Sequence, residues 1–259
     1  MNLDLDGKVA IVGGASQGIG YGIARALARE GAAVAITARR EADLQAAAER
    51  LRTETDANVL PIQADCRRPD DCARVAEIAR REFGGIDILV NNDGAPPLGP
   101  VLSFDDTAWA KAIEQNLMYV VRMARGALPH MKARGGGSIL NITAISAIQP
   151  IGGFGLSVAT WSGVIGFAKT LSIEAARYGI NVNTICPGYI ETQRLEKVFA
   201  AGGKDPAVMR RELEAEVPLG RIGTVEDVAS LAALLVSPRG SYITGAAIQV
   251  DGGLLRAVR

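Results

Sequence analysis

Glycines near the start of the chain have the spacing of a nucleotide-binding loop. The stretch "KVAIVGGASQGIGYGIARALAREG" places Gly14, Gly18 and Gly20 in the pattern GxxxGxG. Glycines there let the backbone approach a pyrophosphate, and a helix beginning near Gly18 offers free N–H groups and a positive dipole end. The pattern predicts a dinucleotide-binding loop, and a tight strand-to-helix turn that binds nothing is the alternative.

Two arginines follow the second predicted strand, in "ITARR". An acidic residue at this point would bind a ribose 2′-hydroxyl, whereas Arg39 and Arg40 can hold a 2′-phosphate through charge-assisted hydrogen bonds. The sequence therefore favours NADP(H) over NAD(H) as the cofactor. The alternative interpretation is that both are surface arginines at the start of a helix.

The elements that must position these residues alternate from end to end. Runs rich in β-branched residues predict seven strands, at 8–12, 32–37, 58–63, 86–92, 138–143, 180–186 and 246–250. Helical patterns with apolar residues three and four apart fill the intervals, at 42–54, 71–84, 116–132 and 161–179 among others. We expect an α/β protein with one doubly wound Rossmann domain over 1–259, whose seven-stranded parallel sheet has helices on both faces.

A long irregular region, residues 187–223, follows the sixth predicted strand. It contains its own helix start, because Asp205 can cap a helix and Pro206 suits the first turn. We expect the segment at about 189–217 to form a lid over a bound substrate.

Composition excludes several classes of function. The 259 residues include 28 Lys plus Arg and 28 Asp plus Glu, so no basic field exists to hold nucleic acid or a membrane surface. Three cysteines without CxxC spacing and one histidine argue against a disulfide framework and a metal site. With no apolar signal segment and no run of about 18 apolar residues, a cytoplasmic location is expected.

Further motifs are spread along the whole chain. They are Asp65 after the third strand, "NNDG" at 91–94, Asn116 in "EQNL", "PGYIET" at 187–192, "GRIGTVEDVA" at 220–229 and "YITGAAIQVDGG" at 242–253. Together with the glycine loop they resemble the short-chain dehydrogenase/reductase family, and most closely its 3-oxoacyl-carrier-protein reductases and related ketone or alcohol oxidoreductases. The resemblance implies hydride transfer between NADP(H) and a small carbonyl or alcohol substrate, in a homotetramer.

The resemblance also implies which residues contact the cofactor. They are Gly14, Ser16, Gly18, Ile19 and Gly20 for the phosphates and ribose, Asp65 and Cys66 for the adenine, Asn92 and Gly94 for the adenosine ribose, and Pro187, Gly188, Ile190 and Thr192 for the nicotinamide. Two residues depart from the family pattern, since Gly13 replaces the usual threonine and Asp93 the usual alanine. Asp93 could weaken cofactor binding, pair with an arginine or cap the following turn.

The catalytic residues of the family are a serine, a tyrosine and a lysine four residues after the tyrosine. The flanking runs "SILNIT" and "GVIGFAKTL" place Ala144 at the serine position, Ser157 at the tyrosine and Trp161 at the lysine. None of the five tyrosines is followed by a lysine four places on. Asn116 and Ser157 remain as polar candidates for a catalytic role, and Trp161 is expected to pack beside the cofactor cleft.

The sequence is compatible with three functions. The first is an NADP(H)-dependent oxidoreductase that takes its proton from water, Ser157 or the substrate. The second is a non-redox protein that binds NADP(H) as a sensor or as a partner subunit, since binding needs the loop and Arg39 but no acid or base. The third is a non-redox elimination or isomerisation, for which Asp93 is the nearest acid or base. Reduction of a small carbonyl ranks first by family analogy.

Overall fold

Seven parallel strands form the centre of the protein, in a computed structural model that describes residues 2–201 and 205–257. They are β1 Val9–Val12, β2 Ala33–Ala38, β3 Val59–Gln63, β4 Ile88–Asn91, β5 Gly137–Ile142, β6 Ile180–Pro187 and β7 Ala247–Val250. Their order is β3-β2-β1-β4-β5-β6-β7, and every neighbouring pair is parallel. The seven predicted strands and the doubly wound α/β fold are confirmed.

Nine α-helices lie within the described residues. They are α1 Gly18–Arg29, α2 Glu41–Thr55, α3 Pro69–Phe83, α4 Asp106–Ala112, α5 Tyr119–Ala133, α6 Gly155–Ala175, α7 Gln193–Ala201, α8 Pro206–Glu216 and α9 Val225–Val236. A π-helical stretch, Ile113–Met118, joins α4 to α5. The helix predicted at 161–179 begins earlier, at Gly155. The sequence did not show this start, because α6 is largely apolar and no capping side chain precedes it.

Successive residues of β1 point into two different cores. Ala10 and Val12 are buried against α1, α2 and α9, whereas Ile11 is buried against α3, α5 and α6. Strands covered on both faces must be apolar throughout, which explains their continuous β-branched runs. The carboxyl ends of β1 and β4, where the strand order reverses, form the crevice in which such sheets bind ligands.

The segment after β6 leaves the sheet, and its two ends pair with each other. Ile190 pairs with Gly223 in a parallel bridge, and the N–H of Glu191 donates to the Gly223 carbonyl over 2.8 Å. Within this closed loop α7 and α8 pack together through a small apolar cluster that includes Leu195, Phe199, Ile222, Met209 and Leu213. The predicted start of α8 is confirmed, since the Asp205 carboxylate accepts the N–H of Ala207 over 2.8 Å. Residues 202–204 of the predicted lid lie outside the described residues.

Helix α6 combines length with apolar composition. In the part of the chain that the structure describes, Gly155–Tyr178 is the one helical segment long and apolar enough to cross a membrane, with a mean hydropathy of 1.2 in its most apolar window. Serine, threonine and lysine interrupt its apolar residues, so a search for an unbroken apolar run does not find it. Val164, Ala168 and Ala175 of α6 belong to the core beside β6. A core helix meets the same criterion, so the match is weak evidence for a membrane span.

Candidate functional site

The loop between β1 and α1 presents backbone rather than side chains. Gly14 and Gly18 have φ angles of +55° and +60°, which favour glycine. Helix α1 begins at Gly18, and the Gln17 side chain before it makes no capping hydrogen bond. The first N–H groups of α1 therefore keep their donor capacity for an anion, which the helix dipole also favours.

Asn92, just after β4, fixes this loop through its side-chain amide. Its Nδ2 donates to the carbonyl of Gly13 over 3.1 Å and, less closely, to that of Gly14 over 3.4 Å. A Cβ on Gly20 would lie 2.5 Å from the Gly14 carbonyl oxygen and 2.7 Å from Asn92 Nδ2. Real Cβ atoms essentially never come so close, so packing requires glycine at position 20.

A cleft of about 640 Å³ opens outside the loop. Its lining combines the loop, three arginines and the segment after β6, and includes Ser16, Gln17, Gly18, Tyr21, Arg25, Arg40, Arg50, Thr192 and Thr224. Arg25 forms ion pairs with Glu54 and Glu226, and the exposed Arg40 forms one of 2.5 Å with Asp43. The predicted Ser16, Gly18, Arg40 and Thr192 are thus brought to one cleft.

Arg50 is a further cation in this cleft, which the sequence motifs did not predict. Its guanidinium lies 4.6 Å from the centre of the Tyr21 ring, and Nη2 donates to the Ser16 carbonyl over 3.4 Å. Among the described residues, no carboxylate forms an ion pair with it. Nothing in the sequence marks Arg50, because its place at the loop follows from the packing of α2 against α1.

Arg39 follows β2 and does not line this cleft. Its charge favours the ionised form of two nearby carboxylates, although Arg67 is the main cause of the lowered pKa of Asp65 and burial raises the pKa of Asp93 overall. Asp65 itself is engaged by Arg67, whose Nε and Nη2 donate to its carboxylate over 2.8 and 2.6 Å and lower its pKa. Cys66 is buried, and burial raises its thiol pKa well above the ordinary value.

Asp93 lies among charged groups just after β4. Burial raises the pKa of its carboxyl, while a hydrogen bond from the N–H of Gly94 acts in the opposite direction. All three expectations for this residue remain predictions. Arg39 and Arg67 act on the carboxyl only through their charge.

The segment after β6 meets the loop from the opposite side. Gly188 continues β6 by donating its N–H to the Val250 carbonyl over 3.0 Å, and a Cβ on Gly188 would lie only 2.8 Å from Asp251 Cβ. Ile190 is buried. A Cβ on Gly18 would lie 3.6 Å from the Thr192 methyl group. The predicted nicotinamide contacts, Pro187, Gly188, Ile190 and Thr192, thus run from the end of β6 to a point beside the phosphate loop.

Ala144, Ser157 and Trp161 lie around the carboxyl end of β5. Ala144 is extended, with φ −157° and ψ 162°, and leads into a short 3-10 turn, Ile145–Ala147. Ser157 is completely buried on α6, and its Oγ has no hydrogen-bond partner among the described residues. Burial without a partner leaves this hydroxyl no route by which to exchange a proton with solvent in this conformation.

Trp161 lines a small cavity of about 10 Å³, roughly the space of one water molecule. Its neighbours there include Asp93, Gly94, Gln115 and Asn116. The expectation that Trp161 packs beside the crevice agrees with this position. The indole leaves little free space at this end.

Asn116 lies within the π-helical stretch and is buried. Its Nδ2 donates to Thr160 Oγ1 over 2.8 Å, and its Oδ1 has no partner among the described residues. Thr160 immediately precedes Trp161, so the hydrogen bond connects the π-helical stretch before α5 to the second turn of α6. The sequence could not indicate this partner, because the two residues are 44 positions apart.

The family model described as enoyl-(acyl carrier protein) reductase matches residues 14–255. The 3-oxoacyl-(acyl-carrier-protein) reductase of Vibrio cholerae is 35% identical over 252 residues, covering 97% of this chain and 99% of that protein. The dehydrogenase/reductase SDR family member 4 of Caenorhabditis elegans is 35% identical over 250 residues, covering 96% and 95%. The chain belongs to the short-chain dehydrogenase/reductase family.

Solved structures of two reductases superpose on nearly the whole chain. The L-sorbose reductase from Gluconobacter frateurii, solved in complex with NADPH and L-sorbose, matches with a TM-score of 0.95 and 35% identity over 100% of both chains. An NADPH-dependent reductase involved in bacilysin biosynthesis matches with a TM-score of 0.94 and 26% identity over 97% and 99%. The fold and its strand order are therefore those of the family.

Metal-binding clusters and disulfides do not contribute to this site. The described residues contain no group of three or more His, Cys, Asp or Glu that could hold a metal ion. Cys66, Cys72 and Cys186 are all free and buried.

Proposed function

We propose that this short-chain dehydrogenase/reductase protein is an oxidoreductase that binds NADP(H) and reduces a small carbonyl compound, or oxidises the corresponding alcohol. The observation that carries the proposal is the uncapped N-terminus of α1 behind a glycine loop, facing a cleft with Arg40 and Arg50. An anion-binding backbone next to additional cations fits a dinucleotide with a 2′-phosphate. The NADPH complex of L-sorbose reductase supports this choice of cofactor.

The residues of this chain fit each part of such a cofactor. The N–H groups from Gly18 to Gly20 and the Ser16 hydroxyl would bind the pyrophosphate and ribose. The 2′-phosphate would lie among Arg39, Arg40 and Arg50. The remaining contacts that we propose are Gly14, Asp65, Cys66, Asn92 and Gly94 on the adenosine side and Pro187, Gly188, Ile190 and Thr192 on the nicotinamide side.

The proton donor is where we propose that this protein departs from its family. Ala144, Ser157 and Trp161 would stand at the positions of the catalytic serine, tyrosine and lysine. The nicotinamide, when bound, supplies or accepts a hydride at the carbonyl carbon. The buried Ser157 hydroxyl and the Trp161 indole are poor proton donors, so the proton would come from water or from the substrate itself.

Loss of general acid–base assistance typically lowers a rate by about 10²–10⁴-fold, while binding still orients the reactants. The expected enzyme is therefore slow rather than inactive. Asn116 would keep a supporting role through Thr160, beside Trp161.

Further features of the proposal follow from the chain's organisation. Residues 1–259 would form one domain, with 189–217 acting as a lid over the substrate. The protein would work as a homotetramer in the cytoplasm, and neither nucleic acid nor a membrane would be a partner.

The deciding experiment is a calorimetric titration with NADPH and with NADH, followed by single-turnover measurements of NADPH absorbance with a panel of ketones. We expect tight NADPH binding, weaker NADH binding and slow but detectable oxidation. Tight binding without turnover would replace this function with the sensor or partner-subunit function. Absence of binding to both cofactors would contradict the proposal.

Arginine substitutions test the cofactor preference. Arg39→Ala and Arg50→Met should each weaken NADPH binding about tenfold and NADH binding much less, because only NADPH carries the 2′-phosphate. Arg81→Ala is the matched control, since Arg81 is exposed and pairs with Glu82 on α3. Equal losses for the two cofactors would remove the arginine in question from phosphate recognition.

A further inference from the structure

The first residue of α5, Tyr119, reaches across the core to the phosphate loop. Its side chain is 2% exposed and packs in the core that α3, α5 and α6 form with the sheet. A tyrosine that buries its ring in a core needs a partner for its hydroxyl. Tyr119 finds that partner in the backbone after β4.

The Tyr119 hydroxyl bonds to the backbone of Asn92. Its Oη accepts the N–H of Asn92 over 3.2 Å and lies 3.4 Å from the Asn92 carbonyl oxygen. Asn92 is the residue whose side chain holds the Gly13 and Gly14 carbonyls. A continuous path of hydrogen bonds therefore runs from α5 to the loop.

The hydroxyl occupies space that exists only because residue 13 is glycine. A Cβ on Gly13 would lie 2.2 Å from Tyr119 Oη and 2.7 Å from the Asn92 carbonyl oxygen. Any side chain at position 13 and the hydroxyl at position 119 therefore exclude each other. The two residues are far apart in the sequence but form one steric unit.

We propose that Tyr119 is a positioning residue for the cofactor loop, whose hydroxyl takes over from a side chain at position 13 the task of fixing Asn92. Without that hydroxyl the Asn92 N–H loses its partner, and the amide that holds the Gly13 and Gly14 carbonyls is free to shift. Burial also raises the pKa of Tyr119 well above its usual range, so the group stays neutral and keeps its proton at any pH of interest. Its contribution is geometric.

The inference rests on the proposed function for its ligand, NADPH, and the test separates the two. Calorimetric titration with NADPH is applied to the wild type, Tyr119→Phe, Gly13→Ser and the double variant Gly13→Ser/Tyr119→Phe. Thermal unfolding of each protein is recorded in parallel. Tyr178→Phe is the control, because that ring lies against Lys132 and Arg177 away from the loop.

Tyr119→Phe should raise the NADPH dissociation constant about tenfold, since a buried donor loses its partner. Gly13→Ser alone should weaken binding at least as much, because its Cβ collides with the hydroxyl. The double variant should bind NADPH more tightly than Gly13→Ser, because the clash with the tyrosine Oη is gone and the serine Oγ can accept the Asn92 N–H. Recovery should be partial, since the added Cβ still lies 2.7 Å from the Asn92 carbonyl oxygen.

A Tyr119→Phe protein that binds NADPH like the wild type would overturn the inference. So would a double variant that binds no better than Gly13→Ser. If the wild type itself does not bind NADPH, the proposed function fails, and the rescue is then scored by melting temperature alone. An additive loss of melting temperature in the double variant would still refute the coupling.

Discussion

The two ends of the crevice differ in what they are made of. At the phosphate end the groups that face a ligand are backbone N–H donors on a loop braced by Asn92. At the other end, around Ala144, Ser157 and Trp161, side chains fill the space. There the hydroxyl of Ser157 is buried with no partner among the described residues, and the cavity beside Trp161 has room for about one water molecule.

This difference teaches which part of a nucleotide-dependent enzyme tolerates substitution. Backbone donors survive a change of side chain as long as the local conformation is kept. Proton transfer depends on a particular side-chain atom with a suitable pKa, so one substitution removes it. Binding and chemistry can therefore diverge separately within one crevice.

The largest expected effect comes from rebuilding the chemical end. The triple variant Ala144→Ser/Ser157→Tyr/Trp161→Lys should raise the single-turnover rate of ketone reduction by about 10²–10⁴-fold. The matched control carries Phe instead of Tyr at position 157 and lacks only the phenolic hydroxyl. If the folded, NADPH-bound triple variant is no faster than this control, the missing groups do not explain the slow chemistry.

Breaking the phosphate end should have the next largest effect. Gly20→Ala places a Cβ against the Gly14 carbonyl and Asn92, so NADPH affinity should fall by about 100-fold or more, measured by calorimetry. Gly166→Ala on α6 is the control, because no atom lies within 4 Å of its added Cβ. Alanine there should leave affinity unchanged and stabilise the helix by up to about 1 kcal/mol. Retained affinity in Gly20→Ala would contradict the role of close packing.

The smallest effect concerns the cap at the start of α9, next to the phosphate cleft that Thr224 lines. Arg221 and the N–H of Thr224 bind the Asp227 carboxylate in a capping box and hold its pKa well below the ordinary value of 3.8. A lowered folded-state pKa stabilises the protein above about pH 4, and that contribution is lost as the pH falls further. Asp227→Asn should cost about 1 kcal/mol at pH 7 and flatten the pH dependence of chemical denaturation below about pH 4.

Glu82→Gln, in an exposed pair with Arg81, is the control for this change and should alter neither quantity measurably. NADPH affinity should be unaffected in both variants. A change in NADPH affinity for Asp227→Asn alone would show that the cap of α9 also contributes to cofactor binding.

Local patterns were enough to predict the sheet and the loop. Each strand of the parallel sheet is a largely apolar run. In the GxxxGxG loop, close packing requires Gly14 and Gly20, and φ angles above zero favour glycine at positions 14 and 18. The start of α8 was equally local, since Asp205 and Pro206 mark it. These features could be predicted because each leaves a recognisable pattern within a short stretch of sequence.

The remaining features depend on distant contacts. Arg50 reaches the loop only through the packing of α2 on α1, and Asn116 binds Thr160 across 44 positions. Ser157 is a plausible catalytic hydroxyl in the sequence, but α6 turns it completely into the interior. Side-chain direction on an apolar helix has no clear period, so this burial could not be read from the sequence.

The bridge between Ile190 and Gly223 has a consequence for how such proteins diversify. The described residues between Glu191 and Ile222 belong to a loop whose two ends are in contact. The entropy of closing a loop rises only slowly with its length, so residues can be inserted or deleted there at little cost to the fold. An ancestral gene could therefore remodel this loop for new molecules while the nucleotide half was inherited intact.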